Sequence, residues 1–319
     1  MNFRTVGQMS TCIARNLDKV PQDVDIIVGI PRSGSLAANI LALHLNRPMT
    51  DVQGLLEGRL MHGGRRLRGD LPDDPRQCRK ILVIDDSILS GRSMEKVQEQ
   101  LEGTSIQAEI VYAVVYGAAR SRDLVDICFE LCEPPRMFEW NYMHHPFIEE
   151  ACVDIDGVLC IDPSNHENDD GPRYREFLST AKPLYIPSRK VFALVTSRLE
   201  KYRKETEEWL ARNGVEFEHL YMLDLPNGEA RRKCNCHAKF KADMYLQTGA
   251  RIFIESSRRQ AAEISRLTRR PVICVDHCEL VDSSVLSRST HKAKSILKKL
   301  RYKVKRRFRK SGNSRGAST

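Results

Sequence analysis

No run of apolar residues in this 319-residue chain reaches the length of a bilayer-spanning helix, which excludes a single-pass anchor of that kind. The opening stretch, MNFRTVGQMSTCIARN, lacks an apolar core run, so no secretory leader is expected. Internal repeats are not evident and low-complexity sequence is scarce, which sets aside a solenoid. Acids are missing from residues 292–319, where twelve Lys or Arg occur. The formal charge of +9 is therefore a property of the tail, and the rest of the chain is mildly acidic, about −3.

Cysteine is not scarce. Ten are scattered through the chain, and reduced thiols in a cytoplasmic setting are the expectation. Cys234, Cys236 and His237 stand close together, and Cys274 and Cys278 could complete a metal site. That spacing matches no strong zinc pattern, and ordinary free cysteines are the preferred reading.

The length suits two domains, and a hydrophobic fraction of 41% can support their cores. DIIVGI (25–30), ILVIDD (81–86) and IVYAVVYG (110–117) read as buried strands, with LAANILALHL (36–45) and MEKVQEQLEG (94–103) as helices. ACVDIDG (151–157), VFALVTS (191–197), RIFIESS (251–257) and PVICVD (271–276) repeat the style. The expected class is α/β, with one domain over 1–135 and another over 151–285. A linker or docking segment rich in proline and aromatics fills 136–150, and a basic tail follows from 286 to 319.

In ILVIDDSILSGRS (81–93) a hydrophobic strand runs into Asp85 and Asp86, then into a loop of small residues. The carboxyl edge of a parallel sheet is where open α/β sheets bind ligands, and a small-residue loop before a helix start suits a phosphate. The acids repel that phosphate but can accept hydrogen bonds from sugar hydroxyls or hold a hydrated magnesium ion (Mg2+). A sugar phosphate satisfies both ends.

This stretch resembles the type I phosphoribosyltransferases, whose 5-phosphoribosyl-1-pyrophosphate motif is four apolar residues, two acids, a short loop and Thr/Ser-Gly. The resemblance implies that Asp85 and Asp86 contact the ribose diol. Ser87, Ile88, Leu89, Ser90, Gly91 and Ser93 would cradle the 5-phosphate. It further implies that Arg32, Ser33 and Gly34, after the first strand, bind pyrophosphate. EGRLMHGGRRLRGD (57–70), with Arg59, Arg65, Arg66 and Arg68, would be a mobile loop closing over it. Pyrophosphate would leave C1 of ribose, its charge met by magnesium and arginines. No decisive purine or orotate signal identifies the acceptor.

ACVDIDGVLC places Asp154 and Asp156 two residues apart after a strand, followed by Gly157. This closely resembles motif I of the haloacid dehalogenase-like phosphatases. The resemblance implies Asp154 as nucleophile and Asp156 as general acid and base, with the Asp156 carbonyl on magnesium. Thr196, with Ser197 beside it, would hold the phosphoryl group. Lys241, favoured over Lys239, would neutralise phosphate and nucleophile. Glu255 would ligate magnesium, although Ser256 stands where a second acid is usual. Only residues 158–190 separate the first two motifs, which implies a minimal cap on this Rossmannoid fold.

Together the halves imply sequential action: transfer of 5-phosphoribose, then removal of its phosphate. That pairing resembles ribofuranosylation systems of bacterial polysaccharide biosynthesis, with a glycan or glycolipid acceptor. The rival readings are nucleotide salvage and a non-catalytic sensor of 5-phosphoribosyl-1-pyrophosphate. In the tail, Ile296, Leu297, Leu300, Val304 and Phe308 fall at helical spacing among basic residues. An anionic membrane surface is the expected partner, at the cytoplasmic face of the inner membrane. Nucleic acid is disfavoured, a plain solubilising tail is the bland alternative, and a homo-oligomer is left open.

Overall fold

The computed structural model describes residues 1–61 and 72–283, and the chain divides into two compact units between Asn141 and Tyr142. In the first unit the elements run β1 (Asn2–Arg4), α1 (Val6–Arg15), β2 (Ile26–Gly29), α2 (Ser33–Leu45), β3 (Met49–Asp51) and α3 (Val52–Glu57). They continue as β4 (Lys80–Ser87), α4 (Arg92–Glu102), β5 (Glu109–Gly117), β6 (Ile127–Leu131) and β7 (Arg136–Phe138). The main sheet is parallel throughout, in the order β3-β2-β4-β5-β6.

Both faces of that sheet are covered, which explains why its central strands carry continuous apolar runs rather than alternating ones. Ile26 and Val28 of β2 pack in one core with Ile81, Val83, Met94 and Val97. Their neighbours Ile27, Leu82 and Ile84 pack in the other, with Met9, Ile13, Leu41 and Phe138. Helix α1 starts cleanly because Thr5 and Gln8 cap each other reciprocally.

The segment 136–150 does not behave as one piece. Arg136–Phe138 pairs in parallel with Asn2–Arg4 as a second small sheet, which ties the start of this unit to its end. Tyr142–His144 and Pro146–Glu150 form short 3-10 turns in the second unit.

The second unit contains β8 (Ala151–Val153), α5 (Pro172–Thr180), β9 (Val191–Leu199), α6 (Arg203–Arg212), β10 (Phe217–Leu223) and α7 (Gly228–Cys234). After these come α8 (His237–Thr248), β11 (Ile252–Glu255), α9 (Arg258–Thr268), β12 (Val272–Cys274) and β13 (Glu279–Val281). The sheet order is β10-β9-β8-β11-β12-β13, parallel except for the last pair. Cys152, Val195, Phe253 and Val272 project from four of its strands onto Ala238, Tyr245 and Ile264 of α8 and α9. Between β8 and β9 the only helix is the nine-residue α5.

One expectation about cysteine is corrected. Cys234 and Cys236 are paired as a disulfide, while the Cys274 and Cys278 thiols donate to the Ser256 and Val275 carbonyls. Asn235 takes a left-handed conformation, φ 46°, and brings the two Cα atoms to 5.1 Å, within bridging range. Among the described residues no three His, Cys, Asp or Glu are grouped to hold a metal.

Candidate functional sites

In the first unit β4 delivers Asp85 and Asp86 to the carboxyl edge of the sheet, and Ser87–Gly91 leads into α4. Gly91 adopts φ 87°, the left-handed region, and a Cβ there would strike the side chain of Leu124. Leu89, Ser90 and Ser93 are exposed and Ile88 is buried. The Ile88 carbonyl accepts from Arg136 Nη2 at 2.7 Å, and that guanidinium also donates to the Cys132 carbonyl at 2.9 Å. A buried arginine thus fixes the loop from beneath. Sequence reading placed Arg136 outside this domain; its loop partner lies 48 residues away.

Asp86 accepts from the Ser33 hydroxyl at 2.7 Å and from the Trp140 indole N–H at 2.8 Å. Its own N–H donates to Asp85 Oδ1 at 2.8 Å. Gly34 lies so close beneath that a Cβ there would meet Asp85 Oδ1 at 2.8 Å. Burial, and then the charge of Asp86, pushes the Asp85 carboxyl up to about 8. Arg32 is exposed at the start of α2, joined to Pro31 by a cis peptide. The structure thus brings Ser33 and Gly34 to the acid pair. Arg59 is exposed and ion-paired with Glu57 at 3.4 Å, while Arg65, Arg66 and Arg68 lie outside the described residues.

In the second unit Asp154 follows β8 and its N–H donates to the Ile254 carbonyl of β11 at 3.0 Å. Lys241, buried on α8, donates to Asp154 Oδ2 and Glu255 Oε2, both at 2.6 Å, and to Gln260 Oε1 at 3.2 Å. Lys239 is exposed. Burial raises the Asp154 carboxyl, against the pull of Lys241. For Lys241 itself, burial opposes the charge, but the two carboxylates outweigh it and raise its pKa.

Of the magnesium ligands implied by the sequence, Asp154 and Glu255 are brought together by the Lys241 ammonium, which takes Oδ2 of one and Oε2 of the other. The Asp156 carbonyl accepts from Ser256 Oγ at 3.4 Å. The Asp156 carboxylate is engaged by fully buried Arg198, with Nη2 to Oδ1 at 2.7 Å and Nε to both oxygens at 3.1 and 3.2 Å. That guanidinium stays charged because the Asp156 carboxylate outweighs burial. Arg198 lies two positions after Thr196 in the quoted strand, but its link to Asp156 spans 42 residues.

Thr196 is fully buried within β9 rather than at its end, and its hydroxyl accepts the Arg198 N–H at 3.2 Å. Ser197 Oγ is buried without a hydrogen-bond partner, a group able to meet a ligand oxygen. Arg231 of α7 fixes the Ser197 carbonyl at 3.2 Å and also donates to Asn168 at 2.9 Å.

No protein-family model and no curated protein matches the chain. Among solved structures, it is similar to Helicobacter pylori xanthine-guanine-hypoxanthine phosphoribosyltransferase at 15% identity, covering 44% of this chain and 92% of that one, with a TM-score of 0.33. A purine phosphoribosyltransferase from Pyrococcus horikoshii is 20% identical, with coverages of 44% and 92% and a TM-score of 0.32. Orotate phosphoribosyltransferase from Aeropyrum pernix is also 20% identical, with coverages of 39% and 70% and a TM-score of 0.26.

Proposed function

We propose that the chain attaches a 5-phosphoribosyl group to a lipid-linked glycan and then removes the 5-phosphate. The observation that carries this reading is the carboxyl edge of the first unit's sheet. There two acids with neutral hydrogen-bond partners adjoin a small-residue loop that opens into the N-terminus of α4. A ligand with a diol at one end and a phosphate at the other suits both parts.

In the transfer step the bond from C1 to the pyrophosphate oxygen breaks and a bond from C1 to an acceptor hydroxyl oxygen forms. Pyrophosphate leaves with the bonding pair, and the hydroxyl proton passes to solvent. The acid pair orients the ribose end, and the loop N–H groups hold the 5-phosphate. A hydrated magnesium ion fits this site, because Asp85 and Asp86 have only neutral hydrogen-bond partners. When bound, it supplies positive charge to the departing pyrophosphate.

In the hydrolytic step Asp154 attacks phosphorus and the bond to O5 breaks, leaving O5 as a hydroxyl. Water then releases phosphate from Asp154. Lys241 neutralises the attacking carboxylate and the incoming phosphate together. Asp156 is the proposed proton carrier, and it must release Arg198 to act. Asp154, the Asp156 carbonyl and Glu255 would hold magnesium there, which would supply positive charge to the phosphoryl group.

The tail, which lies outside the described residues, is proposed to bring the chain to anionic lipid. The test of the joint reading is Asp154→Asn, which keeps the shape and removes the nucleophile. Incubated with 5-phosphoribosyl-1-pyrophosphate and membrane-extracted glycolipids, the variant should accumulate acceptor carrying one phosphate more than the wild-type product. Identical products by mass spectrometry would refute sequential action, and nucleotides as the only substrates would favour salvage.

A further inference from the structure

The acid pair in the first unit is not two copies of one group. Adjacent residues of a strand point to opposite faces, and the two cores show which face each acid joins. Leu82 and Ile84 lie in the core that includes Phe138 and is flanked by Trp140, so Asp86 continues that row. Ile81 and Val83 lie in the other core, so Asp85 continues theirs. Asp86 is 4% exposed, whereas Asp85 is partly exposed. Each Asp86 oxygen already has a partner, Oδ1 the Ser33 hydroxyl and Oδ2 the Trp140 indole. The Trp140 ring is itself fixed by stacking on Phe138, with centroids 4.8 Å apart and planes 13° from parallel.

From this geometry we infer that Asp85 alone of the pair faces the ribose end of the substrate. Asp86 is a positioning residue that ties Ser33, and so the turn opening α2, to Trp140. The inference rests on the proposed transfer activity and refines it. Ser33 and Trp140 are far apart in the unit's sequence, and a buried carboxylate accepting from both fixes each against β4. Charge-assisted hydrogen bonds of this length are among the stronger polar contacts available. The small sheet of β1 and β7 fixes the segment carrying Trp140, so the indole reaches Asp86 from a supported strand.

The experiment is calorimetric titration of the full chain with 5-phosphoribosyl-1-pyrophosphate and magnesium, using Asp85→Asn, Asp86→Asn, Trp140→Phe and the last two combined. Asp85→Asn should weaken binding about a hundredfold or more, through lost contact with the diol. Asp86→Asn and Trp140→Phe should each weaken it by roughly tenfold, the size of one such hydrogen bond. Their combination should be no worse than Asp86→Asn alone, because both break the same link. In a Trp209→Phe background Trp140 is the sole tryptophan, since the chain has two. Its fluorescence should respond to the ligand, and Asp86→Asn should remove that response, which a merely structural indole would not show. Equal losses for Asp85→Asn and Asp86→Asn, or additive losses for Asp86→Asn and Trp140→Phe, would overturn the division of labour. Absence of binding by the unaltered chain would instead refute the transfer reading, and this inference with it.

Discussion

The two units solve the same electrostatic problem differently. Each ends a central parallel strand on carboxylates and buries them at least in part. The second unit carries its own counter-charges: Lys241 between Asp154 and Glu255, and Arg198 against Asp156. The first unit meets Asp85 and Asp86 with a hydroxyl, an indole and a backbone N–H. Burying charge without a partner is costly, and the cost appears as a raised pKa at Asp85. The difference is that the second site brings two cations to its three carboxylates, whereas the first meets its acids with neutral donors alone.

The largest effect that tests this contrast is Gly91→Val. The left-handed backbone at Gly91 and the proximity of Leu124 leave no room for a branched side chain, so the loop must rearrange. Ribosyl transfer should fall below detection while hydrolysis of a phosphorylated acceptor by the second unit stays near wild type. Parallel loss of both activities would mean that the two sites are not independent.

Next comes Lys241→Met. It leaves Asp154 and Glu255 facing each other in a buried site with no cation, a change that costs about 3–5 kcal/mol for a broken buried ion pair. Calorimetric unfolding of the full chain should show a large drop in one transition. An unchanged profile would show that the lysine is not needed to offset the acids.

Asp85→Asn should act in the opposite direction. The folded-state pKa near 8 lies above the ordinary value of 3.8, so the native chain holds a proton that the unfolded chain releases between them. Stability therefore falls as pH rises from about 4 to 8. Asparagine removes that slope, so the variant should match wild type near pH 4 and exceed it above pH 8. Equal stability at pH 9, or a destabilised variant there, would contradict the unbalanced-acid reading. Because the same change should abolish transfer, this site would trade stability for function.

The smallest effect concerns the tail, where positive charge is concentrated in sequence. Changing Leu300, Val304 and Phe308 together to Ser leaves net charge unaltered. It should weaken co-flotation with anionic liposomes without altering either activity on soluble substrates. Equal flotation by the variant would remove the apolar contribution and leave charge alone.

Much of the fold could be read from the chain because its central strands are buried on both faces. IIVG, ILVI, VYAVV and FALV are continuous apolar runs, and β2, β4, β5 and β9 form there. β10 carries exposed Glu218 and His219 on an edge strand, and so gives no such signal. β1 and β7 are three residues each and exist only because they pair across the unit. At the sites, Asp85, Asp86 and Asp154 stand out because charge ending an apolar strand is conspicuous, whereas Lys241 is singled out only by the family resemblance. Arg136, Trp140, Arg198 and Arg231 do not stand out.

The sequence by itself determined the α/β class, the places where strands end on acids and the small-residue loop after Asp86. These follow from local side-chain chemistry and periodicity. Only the tertiary structure decided which groups meet those acids. Lys241 reaches Asp154 across 87 residues, Trp140 reaches Asp86 across 54, and Arg198 reaches Asp156 across 42. Parallel sheets bring such distant segments to one edge through crossover connections, and no local pattern records the pairing. The balance of charge at each site is therefore a property of topology, although every charge in it is plain in the sequence.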